Sequence, residues 1–167
     1  MTNGQQLEQM RHLTGANGWR SVVARVLKDR APHFDKTAFD TYWIEGGHRI
    51  REQVGDDHQL AAFLWLSLPR YKAEARSRLE LYRGENADRL RLGQLGFAWT
   101  PDRNTAEMFA SGLNACGSGG VLLRALVSVE IIAGPGAHSR YLGEHQYTVD
   151  PTAGFPVERL AEFPPFV

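Results

Sequence analysis

Hydrophobic positions along the chain follow two regimes. In the first they recur at helical spacing: Val22, Val23, Val26 and Leu27, then Phe39, Tyr42, Trp43 and Ile50, then Leu60, Phe63, Leu64 and Leu68. An apolar residue at every third or fourth position keeps one face of a helix apolar, so this stretch predicts three amphipathic helices. Asp56 or Asp57 is placed to cap the third, because a short carboxylate accepts hydrogen bonds from the first free backbone amides. Gly46-Gly47 should weaken or bend the second helix, and Pro69 should end or kink the third.

After Ala75 the apolar runs shorten and glycines separate them. Leu79 to Gly84 alternates like a strand, and Gly96 to Thr100 is a second, shorter candidate. Asn104-Thr105-Ala106-Glu107 resembles a capping arrangement that opens a short helix through Met108 and Phe109. The longest strand signal, Val121 to Val129, is apolar enough to be central; Tyr147 to Val149 follows a glycine-punctuated loop, and Val157 to Leu160 could add an edge. Helices first and strands afterwards predict an α+β fold and argue against a doubly wound parallel sheet. The expected layout is a single domain with a helical N-terminal segment over 1–76 and a β-rich core over 77–167.

Composition narrows this picture. At 167 residues and 43% hydrophobic content, the chain can bury a core as one domain, and two full domains would be a squeeze. The 19 basic and 19 acidic residues cancel, so no long-range field draws the molecule to nucleic acid or anionic lipid. The single cysteine, Cys116, excludes an intramolecular disulfide, and no Cys/His cluster has structural-zinc spacing. The opening MTNGQQLEQMRH is polar where a secretory signal needs an apolar run, and no stretch approaches the ~18 apolar residues of a membrane span. Cytoplasmic residence without a membrane partner is the expectation.

Candidate chemistry lies in three segments of the second half: Leu81-Tyr82-Arg83-Gly84; Phe97-Ala98-Trp99-Thr100-Pro101 leading into Ala106 to Ala110; and Gly143-Glu144-His145-Gln146-Tyr147-Thr148-Val149-Asp150-Pro151. Each alone has an ordinary reading as a surface arginine, a strand-to-turn element or a solvated polar pair. Together, over Leu79 to Pro151, their order and spacing resemble the arginine–serine–glutamate class of ADP-ribosyltransferases, which includes cholera-type toxins. The resemblance implies two small, mainly antiparallel sheets around an NAD cleft. It implies that Arg83 and Gly84 hold NAD, with Tyr82, Phe97 and Phe109 contributing to the binding site. Thr100 would steady a ribose or the catalytic carboxylate, and Glu144 would orient or activate the acceptor.

The residue types suit that chemistry independently of the family. An arginine at a strand end can bind a pyrophosphate or a ribose hydroxyl through directed, charge-assisted bonds. A following glycine lets backbone approach a flat nicotinamide. Cleaving the nicotinamide–ribose bond develops positive charge on the ribose, which a nearby carboxylate stabilises. The family places that carboxylate at the second acid of its pair, and here that position is Gln146. Read as a strand, the segment puts Glu144 and Gln146 on one face, about 7 Å apart. One missing charge pair at ~4 Å and an effective dielectric near 20 is worth about 4 kcal/mol, roughly a thousandfold in rate.

Three explanations stand: an engineered substitution of a native glutamate, natural loss of activity, or a rearranged site using Glu144. The expected function is NAD-dependent mono-ADP-ribosyl transfer to a protein acceptor, with arginine as one candidate target and a nucleic-acid acceptor still open, in an active or inactive version. The alternatives are a non-catalytic NAD- or protein-binding module on the same scaffold and an NAD glycohydrolase. His138 and His145 read either as general bases or as surface residues; 112–120 reads as a flap or as a turn before the central strand; and 137–143 reads as a loop leading into the acidic pair.

Overall fold

The computed structural model describes residues 1–71, 77–143 and 145–166. Among these, the helices are α1 (Asn3–Gly15), α2 (Trp19–Asp29), α3 (Lys36–Val54), α4 (Asp57–Ser67), α5 (Ala87–Arg91), α6 (Arg103–Ser111) and α7 (Ala137–Leu142). The strands are β1 (Arg78–Asn86), β2 (Ala98–Trp99), β3 (Gly120–Ser128), β4 (Ile132–Ala133), β5 (Tyr147–Val149) and β6 (Glu158–Phe163). The class is α+β. The chain divides into two compact units, Met1–Arg70 with Gly136–Tyr141, and Tyr71–Pro135 with Leu142–Val167.

In the first unit the predicted periodic segments become α2, α3 and α4. Their apolar faces close around Trp19, which is fully buried against Phe34, Phe39, Tyr42 and Phe63 and donates its indole N–H to Thr14 Oγ1 at 2.7 Å. Asp56 caps α4 by accepting from the His58 and Gln59 amides, and α4 stops at Ser67, two residues before Pro69. Helix α1 carries too few apolar residues to show periodicity, with only Met10 and Thr14 buried; a capping box between Thr2 and Gln5 starts it. Helix α3 runs continuously through Gly46-Gly47. The Tyr42 and Trp43 rings lie back over these glycines, where a β-carbon would come within 2.8 Å of each ring. Segment 137–143, expected as a loop, is largely helix α7. It belongs to this unit, where Gly136 lies against the Asp40 carboxylate and His138 Nε2 is 3.4 Å from Glu45 Oε1.

The second unit holds two antiparallel three-stranded sheets, β1-β3-β6 and β2-β5-β4. Apolar β3 is central as expected, β6 forms an edge, and an irregularity in β3–β6 pairing falls between Leu122 and Leu123. Side chains alternate, so β3 serves two cores. Leu122 packs with Ala106 and Ala110 of α6 on one face; Val121, Leu123, Ala125 and Val127 pack with Trp99, Ile132 and Val149 of the other sheet on the opposite face. Helix α6 is capped by Asp102, not by Asn104: the Asp102 carboxylate accepts from the Asn104 amide at 2.9 Å and from Thr105 Oγ1 at 2.8 Å. No helix among the described residues is long and apolar enough to cross a membrane.

Candidate functional site

The two sheets meet at the end of β2. Thr100 and Tyr82 exchange backbone hydrogen bonds of 2.7 and 2.9 Å across an isolated bridge, which joins the short second sheet to β1 one residue before Arg83. In the same sheet, Ala98 pairs with Thr148 and Trp99 with Tyr147. Thr100 directly follows Trp99 and Gln146 directly precedes Tyr147, so the two flank one register pair. Contrary to the expected strand-end arginine, Tyr82 and Arg83 lie in the middle of β1, and the bridge sets Tyr82 beside the end of β2.

Alternation along β1 sends Tyr82 and Gly84 to one face and Arg83 and Glu85 to the other. The first face is covered by α6. A β-carbon on Gly84 would lie 2.3 Å from the Ala106 carbonyl oxygen and 2.4 Å from the Ala110 amide nitrogen, and the Gly84 carbonyl accepts from Asn114 Nδ2 at 2.6 Å. Helix packing thus demands a glycine at 84 for a reason separate from any nicotinamide. Phe109 contributes to the same close helix–strand contact through its backbone. Tyr82 packs beside Ala106, Ala110 and Leu122 and donates its hydroxyl to Glu80, whose acceptance of that proton raises the Tyr82 pKa. Phe97 is buried, and its carbonyl accepts from the Val149 amide at 2.8 Å.

On the opposite face Arg83 is held from two sides. Its Nε donates to Glu85 Oε2 at 2.7 Å, and Nη1 donates to the Ala98 carbonyl of β2, also at 2.7 Å. Glu85 is fully buried, and its carboxylate additionally accepts from the Asn86 and Gly96 amides, each at 2.9 Å. Burial pushes the Glu85 pKa up, but the Arg83 charge and these hydrogen bonds outweigh it and hold the carboxyl below its ordinary range. Gly96 makes room for the arrangement: its built β-carbon would sit 2.0 Å from Arg83 Nη2 and 2.1 Å from Cζ.

Sequence reasoning missed Glu85. Strand alternation puts Leu81, Arg83 and Glu85 on one face of β1, and only the fold shows that this face is inward. Asn86 was missed as well. It is buried, and its Nδ2 donates to the Asn114 and Cys116 carbonyls, at 3.0 and 2.9 Å, which anchors segment 112–119 as a turn between α6 and β3.

The third segment departs from the extended reading. Strand β5 begins only at Tyr147, and His145 has a left-handed φ of 45°. The alternation that set residues 144 and 146 on one face therefore does not apply, because a positive φ turns the chain out of the strand. Glu144 itself lies outside the described residues. His145 is close enough to Asp102 to contribute to that carboxyl's lowered pKa, behind the larger effects of hydrogen bonds from Thr105 and Asn104. Thr100 is buried, and its Oγ1 accepts from the Asp102 amide at 3.1 Å, which begins the turn into α6. Among the described residues no group of His, Cys, Asp or Glu could hold a metal ion. Comparisons with protein-family models, curated proteins and solved structures find no match for this chain.

Proposed function

We propose that the middle of β1, with the end of β2 and the start of β5, forms an NAD site of the ADP-ribosyltransferase kind, and that the protein is a mono-ADP-ribosyltransferase scaffold whose cation-stabilising position carries Gln146. The observation that carries this reading is the bridge between Tyr82 and Thr100. It aligns the arginine-bearing strand with the hydroxyl-bearing strand, and the β2–β5 register pairs Trp99 with Tyr147, the neighbours of Thr100 and Gln146. Two small antiparallel sheets, with Arg83 on the inward face of one and bonded to the backbone of the other, further support the reading.

On this reading Arg83 donates to NAD, Thr100 orients a ribose and its neighbours, and Gln146 faces the nicotinamide–ribose bond without supplying charge. Transfer is then slow, because the developing ribosyl cation lacks its carboxylate. A protein acceptor is retained, with arginine as one candidate target. Nicotinamide release from labelled NAD tests the proposal. Gln146→Glu should raise release by about a thousandfold, from a charge pair worth about 4 kcal/mol, and Arg83→Ala should remove the gain. Equal background release by all three proteins contradicts the proposal; free ADP-ribose with no labelled macromolecule would identify a glycohydrolase instead.

A further inference from the structure

Arg83 is an unusual candidate for gripping a phosphate, because its charge already has a partner. Glu85 has a side chain only 1% exposed, against 13% for Arg83, so little water screens the pair. Three hydrogen bonds fix the carboxylate, from Arg83 Nε and from the Asn86 and Gly96 amides. The guanidinium is fixed in turn by Glu85, by the Ala98 carbonyl and by the close approach of Gly96. Among the described residues, Nη2 has no hydrogen-bond partner. What the chain presents at this point of β1 is one oriented N–H edge belonging to a pair with no net charge.

Coulomb's law shows what this does to an anion. A phosphate bonded to the guanidinium also feels the Glu85 carboxylate, 2.7 Å from Arg83 Nε, and that repulsion cancels part of the attraction. A hydrogen bond to a neutral oxygen depends on direction and short range, and keeps its strength when the donor is held in place. Resting on the NAD reading above, we propose that Glu85 is a positioning residue that makes Arg83 a directional donor to an uncharged acceptor, a ribose hydroxyl or the nicotinamide carboxamide oxygen, and not to the pyrophosphate. Specificity at Arg83 then lies in the nicotinamide riboside half of the dinucleotide.

Calorimetry of the full chain with NAD, nicotinamide riboside and inorganic pyrophosphate tests this. For the unmodified protein, nicotinamide riboside should bind and pyrophosphate should not, and NAD affinity should change less than about threefold between roughly 50 and 300 mM NaCl. Glu85→Gln keeps a hydrogen-bond acceptor for Arg83 but removes the charge. It should strengthen pyrophosphate binding by about tenfold and make NAD affinity fall with salt. Glu85→Asp, which keeps the charge but shortens the reach, should weaken nicotinamide riboside without any gain for pyrophosphate. A Glu85 with only a structural role would weaken all three ligands together in both variants, and that result overturns the proposal. Pyrophosphate binding by the unmodified chain with a steep salt dependence overturns it too, while leaving the NAD site standing. Failure of both NAD and nicotinamide riboside to bind the folded, unmodified chain overturns the site and this inference together. If Glu85→Gln does not fold, the salt series on the unmodified protein decides alone.

Discussion

Replacing Gly96 with alanine introduces one methyl group, yet it should be among the most damaging substitutions in the second unit. The added carbon would lie 2.0 Å from Arg83 Nη2, 2.1 Å from Cζ and 2.5 Å from Nε. A guanidinium ends a flexible side chain and could ordinarily swing aside. Here it cannot move without giving up its bonds to Glu85 and the Ala98 carbonyl, leaving a fully buried carboxylate without its cation. Breaking a buried ion pair from one side costs about 3–5 kcal/mol. For a chain of this length that lowers the melting temperature by roughly 6–20 °C. Thermal and urea unfolding followed by tryptophan fluorescence would measure the loss, and a second background isolates its origin. In an Arg83→Ala protein the methyl enters space the guanidinium has vacated, so Gly96→Ala should add less than about 0.5 kcal/mol there. Equal costs in the two backgrounds, or a cost below about 1 kcal/mol in the unmodified chain, would refute the reasoning.

Other substitutions probe neighbouring parts of the fold. Gly84→Ala meets backbone of α6 on two sides, and overpacking of this kind should cost about 1–3 kcal/mol or more in urea unfolding. Asp102→Asn should retain the α6 cap while Asp102→Ala loses it, so the alanine variant should melt below the asparagine variant in paired melting curves. The pH dependence of stability carries two opposite contributions. Glu85 has a depressed folded pKa, so its stabilisation is present above its unfolded value of about 4.3 and is lost as pH falls through the folded value. Burial raises the folded pKa of Asp40 despite the nearby His138 and Arg140 charges; its contribution is full below its unfolded value of about 3.9 and fades as pH rises through the folded one. Accordingly, Glu85→Gln should flatten the acid limb of the stability curve, and Asp40→Asn should stabilise the protein at pH near 7 more than in acid.

Much of the secondary structure was legible because burial imposes a period. Three helices with apolar stripes and a central strand of continuous apolar residues declare themselves, whereas α1 buries only Met10 and Thr14 and stays hidden. Helix α3 continues through the glycines at 46 and 47, where two aromatic rings occupy the space that side chains would fill. The short elements α5, β4 and α7 span at most six residues and leave no periodic signature. At the candidate site, sequence named Tyr82, Arg83, Thr100 and Gln146; the bridge pairs Tyr82 with Thr100 and the register pairs the neighbours of Thr100 and Gln146, whereas Arg83 lies in mid-strand and not at a strand end. What it could not supply was the partner of Arg83. A glutamate two residues on in a strand is unremarkable until the fold shows both side chains inside, with Gly96 drawn against them from another segment. The extended form expected at His145 failed for a similar reason, since nothing in the local sequence announces its positive φ.

The central claim is that segments around residues 82, 100 and 146 converge on one dinucleotide. Amide chemical-shift mapping by NMR during an NAD titration tests it most directly. Saturable shifts should cluster at Tyr82, Arg83, Thr100, Gln146 and their immediate neighbours, and should vanish for Arg83→Ala. An unchanged spectrum at saturating NAD, or shifts confined to residues remote from the Tyr82–Thr100 bridge, would contradict the account.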